Sequence, residues 1–213
     1  MTIKQRYEGV ISIFQEMMPD PKTELCYDTP FHLLLAVILS AQCTDKRINM
    51  VTPALYARYP EPGDMAASSE EEVYSYIKSV TFPNNKAKAL IKAARMIHEE
   101  YGDELPCDID KLMRLPGVGR KTANVMLSVV WNKSAMAVDT HVFRVSNRIG
   151  LTNDSPNPVA TEKTLVKYIP EELVARAHHW LILHGRYVCK ARKPECMECA
   201  IRDYCKIYNK IRR

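Results

Sequence analysis

Apolar and polar positions recur along this chain with the period of a helix and almost nowhere with the period of a strand. Lys86–Tyr101 places Leu90, Ala94, Ile97 and Tyr101 three or four residues apart, which makes one helix face apolar, and Gly102 follows as a stop. Glu70–Val80 begins with three acidic residues, which suit the positive end of a helix. Phe31–Leu39 is apolar except for His32 and has no turn signal, so it reads as a buried helix. Asp108 or Asp110 can cap a short helix running through Leu115. After Gly119 a second helix runs to about Trp131, with Ala123, Met126, Leu127 and Val130 on one face. Val142, Val145 and Ile149 mark another, closed by Gly150. Thr152–Pro158 is polar and reads as a loop. One helix follows from about Pro158 to Tyr168, and Pro170 opens another, expected to end at Gly185. The fold class this predicts is all-α.

Two of these helices are joined by Leu115-Pro116-Gly117-Val118-Gly119. Glycines two apart permit backbone conformations closed to other residues and leave no side chain in the way of close approach. The next helix starts immediately, and its first amides lack intrahelical partners and carry the positive end of the dipole. A phosphate is a natural ligand there, with Arg120 and Lys121 adding charge at the same end. Such a helix-hairpin-helix grips a nucleic-acid backbone without reading its sequence. A plain helix–helix turn is the alternative for these five residues. Lys121 is then either a phosphate contact or an amine with chemistry of its own. Asp139, before Thr140-His141-Val142, is a good helix cap and a candidate carboxylate.

Composition narrows the classes. A chain of 213 residues with 46% hydrophobic content can bury one substantial core or two smaller ones. A net charge of +5 permits a polyanionic partner. The N-terminus shows no apolar stretch of signal-peptide length, and Phe31–Leu39 is too short to span a bilayer. The expectation is a soluble cytoplasmic protein with no membrane partner. Of its seven cysteines, Cys26, Cys43 and Cys107 are scattered, while Cys189, Cys196, Cys199 and Cys205 crowd into one segment. Four thiolates there suit zinc or an iron–sulfur cluster. The spacing x6, x2, x5 has only one of the two short pairs usual in a zinc ribbon, but alone it does not decide.

The residues Leu115–Leu127 (LPGVGRKTANVML), followed by Ala137–Arg148 (AVDTHVFRVSNR), resemble the active-site region of the endonuclease III family. The similarity continues in Ser40–Asp45 (SAQCTD) and His178–Cys189 (HHWLILHGRYVC), in the family's order and over nearly the whole chain. The resemblance implies two helical domains flanking a DNA-binding cleft. One is continuous, residues 23–133, with six helices and the hairpin motif at about 108–131. The other joins 1–22 to 134–213 and carries a [4Fe–4S] cluster on Cys189, Cys196, Cys199 and Cys205, in the segment 189–205. Lys121 and Asp139 would face each other across the cleft.

The resemblance further implies a base excision repair enzyme, an N-glycosylase and abasic-site lyase acting on oxidised pyrimidines in damaged double-stranded DNA, and working as a monomer. Lys121 would be the nucleophile. An amine that forms a Schiff base gives base removal and strand cleavage from one group, whereas a water nucleophile gives only the first. The amine must be neutral to attack. A helix N-terminus, Arg120 and partial burial are the means the sequence offers. Asp139 would stabilise charge on the sugar or relay a proton. Leu115, Gly117, Val118, Gly119 and Arg120 would form the phosphate-binding hairpin. His141, Arg144 and the basic loop with Lys190, Arg192 and Lys193 would add backbone contacts. A base in a duplex must be flipped out, so Gln42 and Phe82 would fill the gap. Phe82 lies in Thr81–Lys86, where Thr81 stands in place of the family's glycine and Pro83 stiffens the turn. Read locally, Phe82 could close a core corner, Gln42 could cap the buried helix, and His141 could be structural. The rival functions are a monofunctional glycosylase of the adenine branch and a non-catalytic DNA-binding module.

Overall fold

The computed structural model describes residues 1–211. Among them there are helices, 3-10 turns and loops, and no strand. The α-helices are α1 (Ile3–Met17), α2 (Pro30–Ser40), α3 (Asp45–Arg58), α4 (Pro62–Ala66), α5 (Glu70–Ile77), α6 (Pro83–Tyr101), α7 (Ile109–Arg114), α8 (Arg120–Trp131), α9 (Thr140–Ile149), α10 (Pro158–Tyr168), α11 (Val174–Tyr187) and α12 (Lys206–Ile211). The chain divides into two compact units, one of residues 23–131 and one of 1–22 with 132–213.

In the continuous unit α2 is the hub. Every residue from Phe31 to Leu39 is buried, and α3, α6 and α8 pack around it. A helix that is apolar on all sides has to be enclosed in this way. Pro30 occupies its first turn, and the Thr29 hydroxyl accepts the His32 N–H at 3.1 Å. The buried stripe of α6 runs through Leu90, Ala94 and Ile97, and includes Lys86 one turn earlier. Gly102 ends that helix in the left-handed region at φ 60°. Asp108, not Asp110, caps α7, its Oδ1 accepting the Lys111 N–H at 2.9 Å. The unit holds seven helical segments, α2 to α8, where six were expected.

The discontinuous unit has its own core, in which Tyr7, Val10 and Phe14 of α1 pack with Val142, Val145 and Trp180. Two buried polar tips tie α1 to the later chain. Tyr7 donates to the Leu151 carbonyl at 2.8 Å, and the Trp180 indole donates to that of Met18 at 2.7 Å. The helix expected to run from Pro170 to a stop at Gly185 differs at both ends. A 3-10 turn, Glu171–Leu173, comes first, and α11 continues through Gly185 to Tyr187. Gly185 marks a close approach instead. A Cβ there would lie 2.9 Å from the His141 Cβ and 3.0 Å from the Val145 Cγ2, so α9 and α11 meet where one side chain is missing.

Replacing Gly185 with alanine separates these two roles. Steric crowding lowers the unfolding free energy by about 1–3 kcal/mol, whereas a glycine merely interrupting a helix would give a gain of roughly 1 kcal/mol. Urea denaturation of the two proteins measures the sign.

Candidate functional site

The hairpin is built from the inside out. Leu115 and Val118 are 1% and 6% exposed and act as its apolar feet. Their amides close the turn, Leu115 N–H donating to the Leu112 carbonyl at 3.1 Å and Val118 N–H to that of Leu115 at 3.0 Å. Side chains and amides of both residues are thus engaged within the protein. Gly117 is required by its φ of 84° and by packing, since a Cβ would meet the Ala89 Cβ at 3.1 Å. Gly119 faces open space. The first intrahelical bond of α8 runs from Ala123 N–H to the Gly119 carbonyl at 2.9 Å. The amides before it, those of Lys121 and Thr122 included, lie at the positive end of the helix. Lys121 is exposed, not partly buried as expected, and Arg120 beside it is exposed too.

In the discontinuous unit, buried residues Ala135–Val138 lead into Asp139, the N-cap of α9. Its Oδ1 accepts the Val142 N–H at 2.8 Å, which fixes the orientation of a half-buried carboxylate. His141 is also half-buried, its Nδ1 3.2 Å from the Arg144 Nη2. Arg144 differs from expectation. Its guanidinium donates to the Gly185 carbonyl at 2.9 Å and twice to that of Cys189, at 3.2 and 3.3 Å. Through Nε and Nη2 it braces the end of α11. Arg148, one turn on, donates to the carbonyls of Lys190 at 2.7 Å and Ala191 at 3.0 Å.

Those two arginines hang a segment whose four cysteines line one recess with Ile149, Val188 and Ile201. Arg148 Nη1 is 3.8 Å from the Cys189 sulfur, and His184 Nε2 is 3.8 Å from that of Cys199. Burial pushes the Cys199 thiol up to about 11 and His184 down to about 4. No three His, Cys, Asp or Glu side chains among the described residues converge on a single ion. The basic loop lies outward, with Lys190, Arg192 and Lys193 all exposed and Lys190 paired to Glu195.

Gln42 and Phe82 sit on two loops of the continuous unit. Both are exposed and both occupy the left-handed region, at φ 55° and 52°. Phe82 is 60% exposed, so it closes no core corner.

Comparison with known proteins then decides the family. Residues 35–171 match the model of the HhH-GPD superfamily of base excision DNA repair proteins, and 189–205 match the iron–sulfur binding domain of endonuclease III. Endonuclease III of Rickettsia conorii (strain ATCC VR-613 / Malish 7) is 48% identical over 199 residues, covering 93% of this chain and 94% of that one. That of Escherichia coli (strain K12) is 45% identical over 204 residues, covering 95% of each. This chain belongs to the endonuclease III family. The structure of a trapped endonuclease III–DNA covalent intermediate superposes with a TM-score of 0.92 at 44% identity over 100% of both chains. A thermostable thymine-DNA glycosylase shares the fold, with a TM-score of 0.88 at 21% identity.

The cofactor of this endonuclease III family member is a [4Fe–4S] cluster, and the residues present fit it. Four soft donors line one recess together with Ile149, Val188 and Ile201, and a guanidinium stands beside the first sulfur. Sequence reasoning gave no role to Arg148 or Lys86 and read Thr81 only as standing in place of a glycine; Thr81 and Lys86 join the Gln42 and Phe82 loops. The available signal was a lysine on the apolar stripe of α6, one turn before Leu90.

Removing the Arg148 clamp, as Arg148→Met, frees the backbone of residues 190 and 191. The expected result is faster bleaching of the cluster's visible absorbance under a chelator. The rate rises by about tenfold, the worth of roughly one charge-assisted hydrogen bond, and Arg148→Lys recovers part of it.

Proposed function

We propose that this chain removes oxidised pyrimidines from duplex DNA and cleaves the resulting abasic site, with Lys121 as the nucleophile and Asp139 as the carboxylate that serves it. It is a bifunctional DNA glycosylase and abasic-site lyase of base excision repair, in keeping with its family match and its endonuclease III relatives. One observation carries the reading. Lys121 projects, exposed, from the first turn of a helix whose leading amides follow a glycine hairpin. A phosphate held on those amides and on Gly117, Gly119 and Arg120 brings the adjoining sugar within reach of the amine.

The chemistry then needs no second nucleophile. Nζ bonds to C1′, the glycosidic bond breaks, and the base leaves with the electron pair and takes up a proton. Ring opening gives an iminium. Its positive charge acidifies C2′, a base removes that proton, and the C3′–oxygen bond breaks to release the 3′ phosphate. Water hydrolyses the imine and returns the amine. Asp139 uses Oδ1 as a helix cap, which leaves Oδ2 to balance the charge growing on the sugar or to accept the amine's proton.

Cys189, Cys196, Cys199 and Cys205 hold the cluster. When bound, it supplies four iron–thiolate bonds that fix the segment 189–205. Glycosidic cleavage and elimination move no net electrons, so the steps above call on it only to shape the protein. The loop it supports offers Lys190, Arg192 and Lys193 to phosphates. The Glu195 partner of Lys190 is exposed and cheaply exchanged. His141 adds to the DNA contacts near α9, and Gln42 and Phe82 enter the stack. The domains of this reading are 23–133 for the hairpin and 1–22 with 134–213 for the cluster. One copy acts alone on double-stranded damaged DNA in the cytoplasm. No helix among the described residues is long and apolar enough to cross a membrane.

Borohydride trapping on a duplex containing thymine glycol tests the nucleophile. The wild-type protein forms a covalent adduct and Lys121→Gln forms none; an undiminished adduct would place the nucleophile elsewhere. Asp139→Asn tests the carboxylate apart from the cap. Asparagine caps as well as aspartate, so unfolding free energy changes by less than about 1 kcal/mol. Single-turnover base release falls by about 10²–10⁴-fold. A parallel loss of both would reduce Asp139 to its structural bond.

A further inference from the structure

Lys86 is 7% exposed, and its three side-chain hydrogen-bond partners are neutral oxygens. Its ammonium donates to the Leu39 carbonyl at 2.8 Å, the Ala41 carbonyl at 2.7 Å and the Thr81 hydroxyl at 3.1 Å, which uses all three of its N–H groups. The first two acceptors belong to the C-terminal end of α2, where carbonyls lack helical partners and a cation is favoured. Thr81 closes the other side, its hydroxyl lying 3.2 Å from the Ala41 carbonyl and 3.1 Å from that of Gln42. The Lys86 amide N–H also donates to the Phe82 carbonyl, at 3.1 Å. One residue thus holds the loop before Gln42 by its side chain and the Phe82 turn by its backbone.

Burying a cation among neutral groups is costly, and desolvation holds its pKa below the ordinary lysine range, with Cys43 opposing. A cap for α2 alone could be made by an uncharged donor. The neighbours explain the choice. Gln42 and Phe82 are both non-glycine residues in the left-handed region, a strained backbone that persists only when its surroundings impose it. Both are exposed, so neither is held by its own packing.

We propose that Lys86 is a positioning residue whose ammonium locks the two loops together, so that Gln42 and Phe82 enter the duplex as one rigid unit. The inference rests on the reading of those two side chains as inserted groups. Lys86 touches neither DNA nor the reacting atoms. It acts by holding Leu39, Ala41 and Thr81 in one place.

The test compares thymine glycol in a duplex with an abasic site in a single-stranded oligonucleotide, which has no partner strand to be extruded from. For Lys86→Met, single-turnover cleavage of the duplex falls by about tenfold or more, while the single strand is cut within about twofold of the wild-type rate. In a Gln42→Ala, Phe82→Ala background the same change costs the duplex reaction nothing further, because the groups it positions are gone. Equal losses on both substrates, no loss on the duplex, or full additivity in that background would each overturn the proposal. Should Lys86→Met fail to fold, judged by circular dichroism and the cluster's absorbance, Thr81→Val decides in its place by the same comparison. The Gln42→Ala, Phe82→Ala protein keeps the two ideas apart. If it handles the duplex like the wild type, the inserted-group reading fails. If it loses the duplex reaction while Lys86→Met and Thr81→Val keep it, only the latch fails.

Discussion

An α-helix cannot satisfy the amides of its first turn or the carbonyls of its last, and a chain made of helices meets that constraint at every junction. Here several helix ends carry charged side chains. The start of α8 follows an open glycine and carries Lys121 in its first turn. The start of α9 is closed by the carboxylate of Asp139. The end of α2 is closed by a buried ammonium, and the end of α11 by the guanidinium of Arg144. A protein with sheets would answer most of its backbone groups in ladders. This one caps many of its helices with neutral side chains such as Thr29 and Ser69, but answers the end of α2, the start of α9 and the end of α11 with charged ones, each then fixed in direction.

Fixed direction explains why the residue types are not interchangeable. Serine or threonine would cap α9 about as well as aspartate, but neither leaves a second, ionised oxygen once the cap is made. Methionine would fill the space of Lys86, but it has no donor for Leu39, Ala41 and Thr81 together. Arg144 and Arg148 lie one turn apart on α9, and their planar forks reach the carbonyls of Gly185 and Cys189 and of Lys190 and Ala191. In each case the local role alone would tolerate a simpler residue. The charge is what the local role does not require.

Much of this was legible because helix periodicity and glycine stops are local signals. Leu90, Ala94 and Ile97 lie on the buried face of α6, and Gly102 and Gly150 end their helices at positive φ. The hairpin was legible for the same reason, as two glycines at a fixed distance from a helix start. What escaped was set by tertiary approach. Gly185 looks like Gly150 in sequence, but the crossing of α9 and α11 passes over it. Leu115 and Val118 belong to the motif, yet their amides close the turn. Arg144 looks like a phosphate contact until the Cys189 carbonyl is brought to it from forty-five residues away. Lys86 was visible only as a charge on an apolar stripe, which periodicity discounts as an exception. The extent of α3, which contains Pro53, is likewise set by burial of Ile48, Val51 and Leu55 and not by propensity.

The cysteine segment shows the opposite limit, where sequence spacing says more than local folding could. Between Cys189 and Cys205 the only regular structure is a 3-10 turn, Arg202–Tyr204, and the one buried apolar side chain is Ile201. So little burial cannot offset the entropy of ordering seventeen residues. The arginines of α9 grip its first three residues, and Arg6 of α1 reaches its far end through the Tyr204 carbonyl at 2.9 Å. Between those two grips the polypeptide adds a few bonds of its own, among them Glu195 N–H to the Val188 carbonyl and Arg202 N–H to that of Cys199, both at 3.0 Å. Thiolate bonds to a metal cluster supply free energy that hydrophobic burial does not, and they supply it at the four points where the segment turns inward. The exposed charges of Lys190, Arg192 and Lys193 then ride on a loop that the cluster supports from beneath.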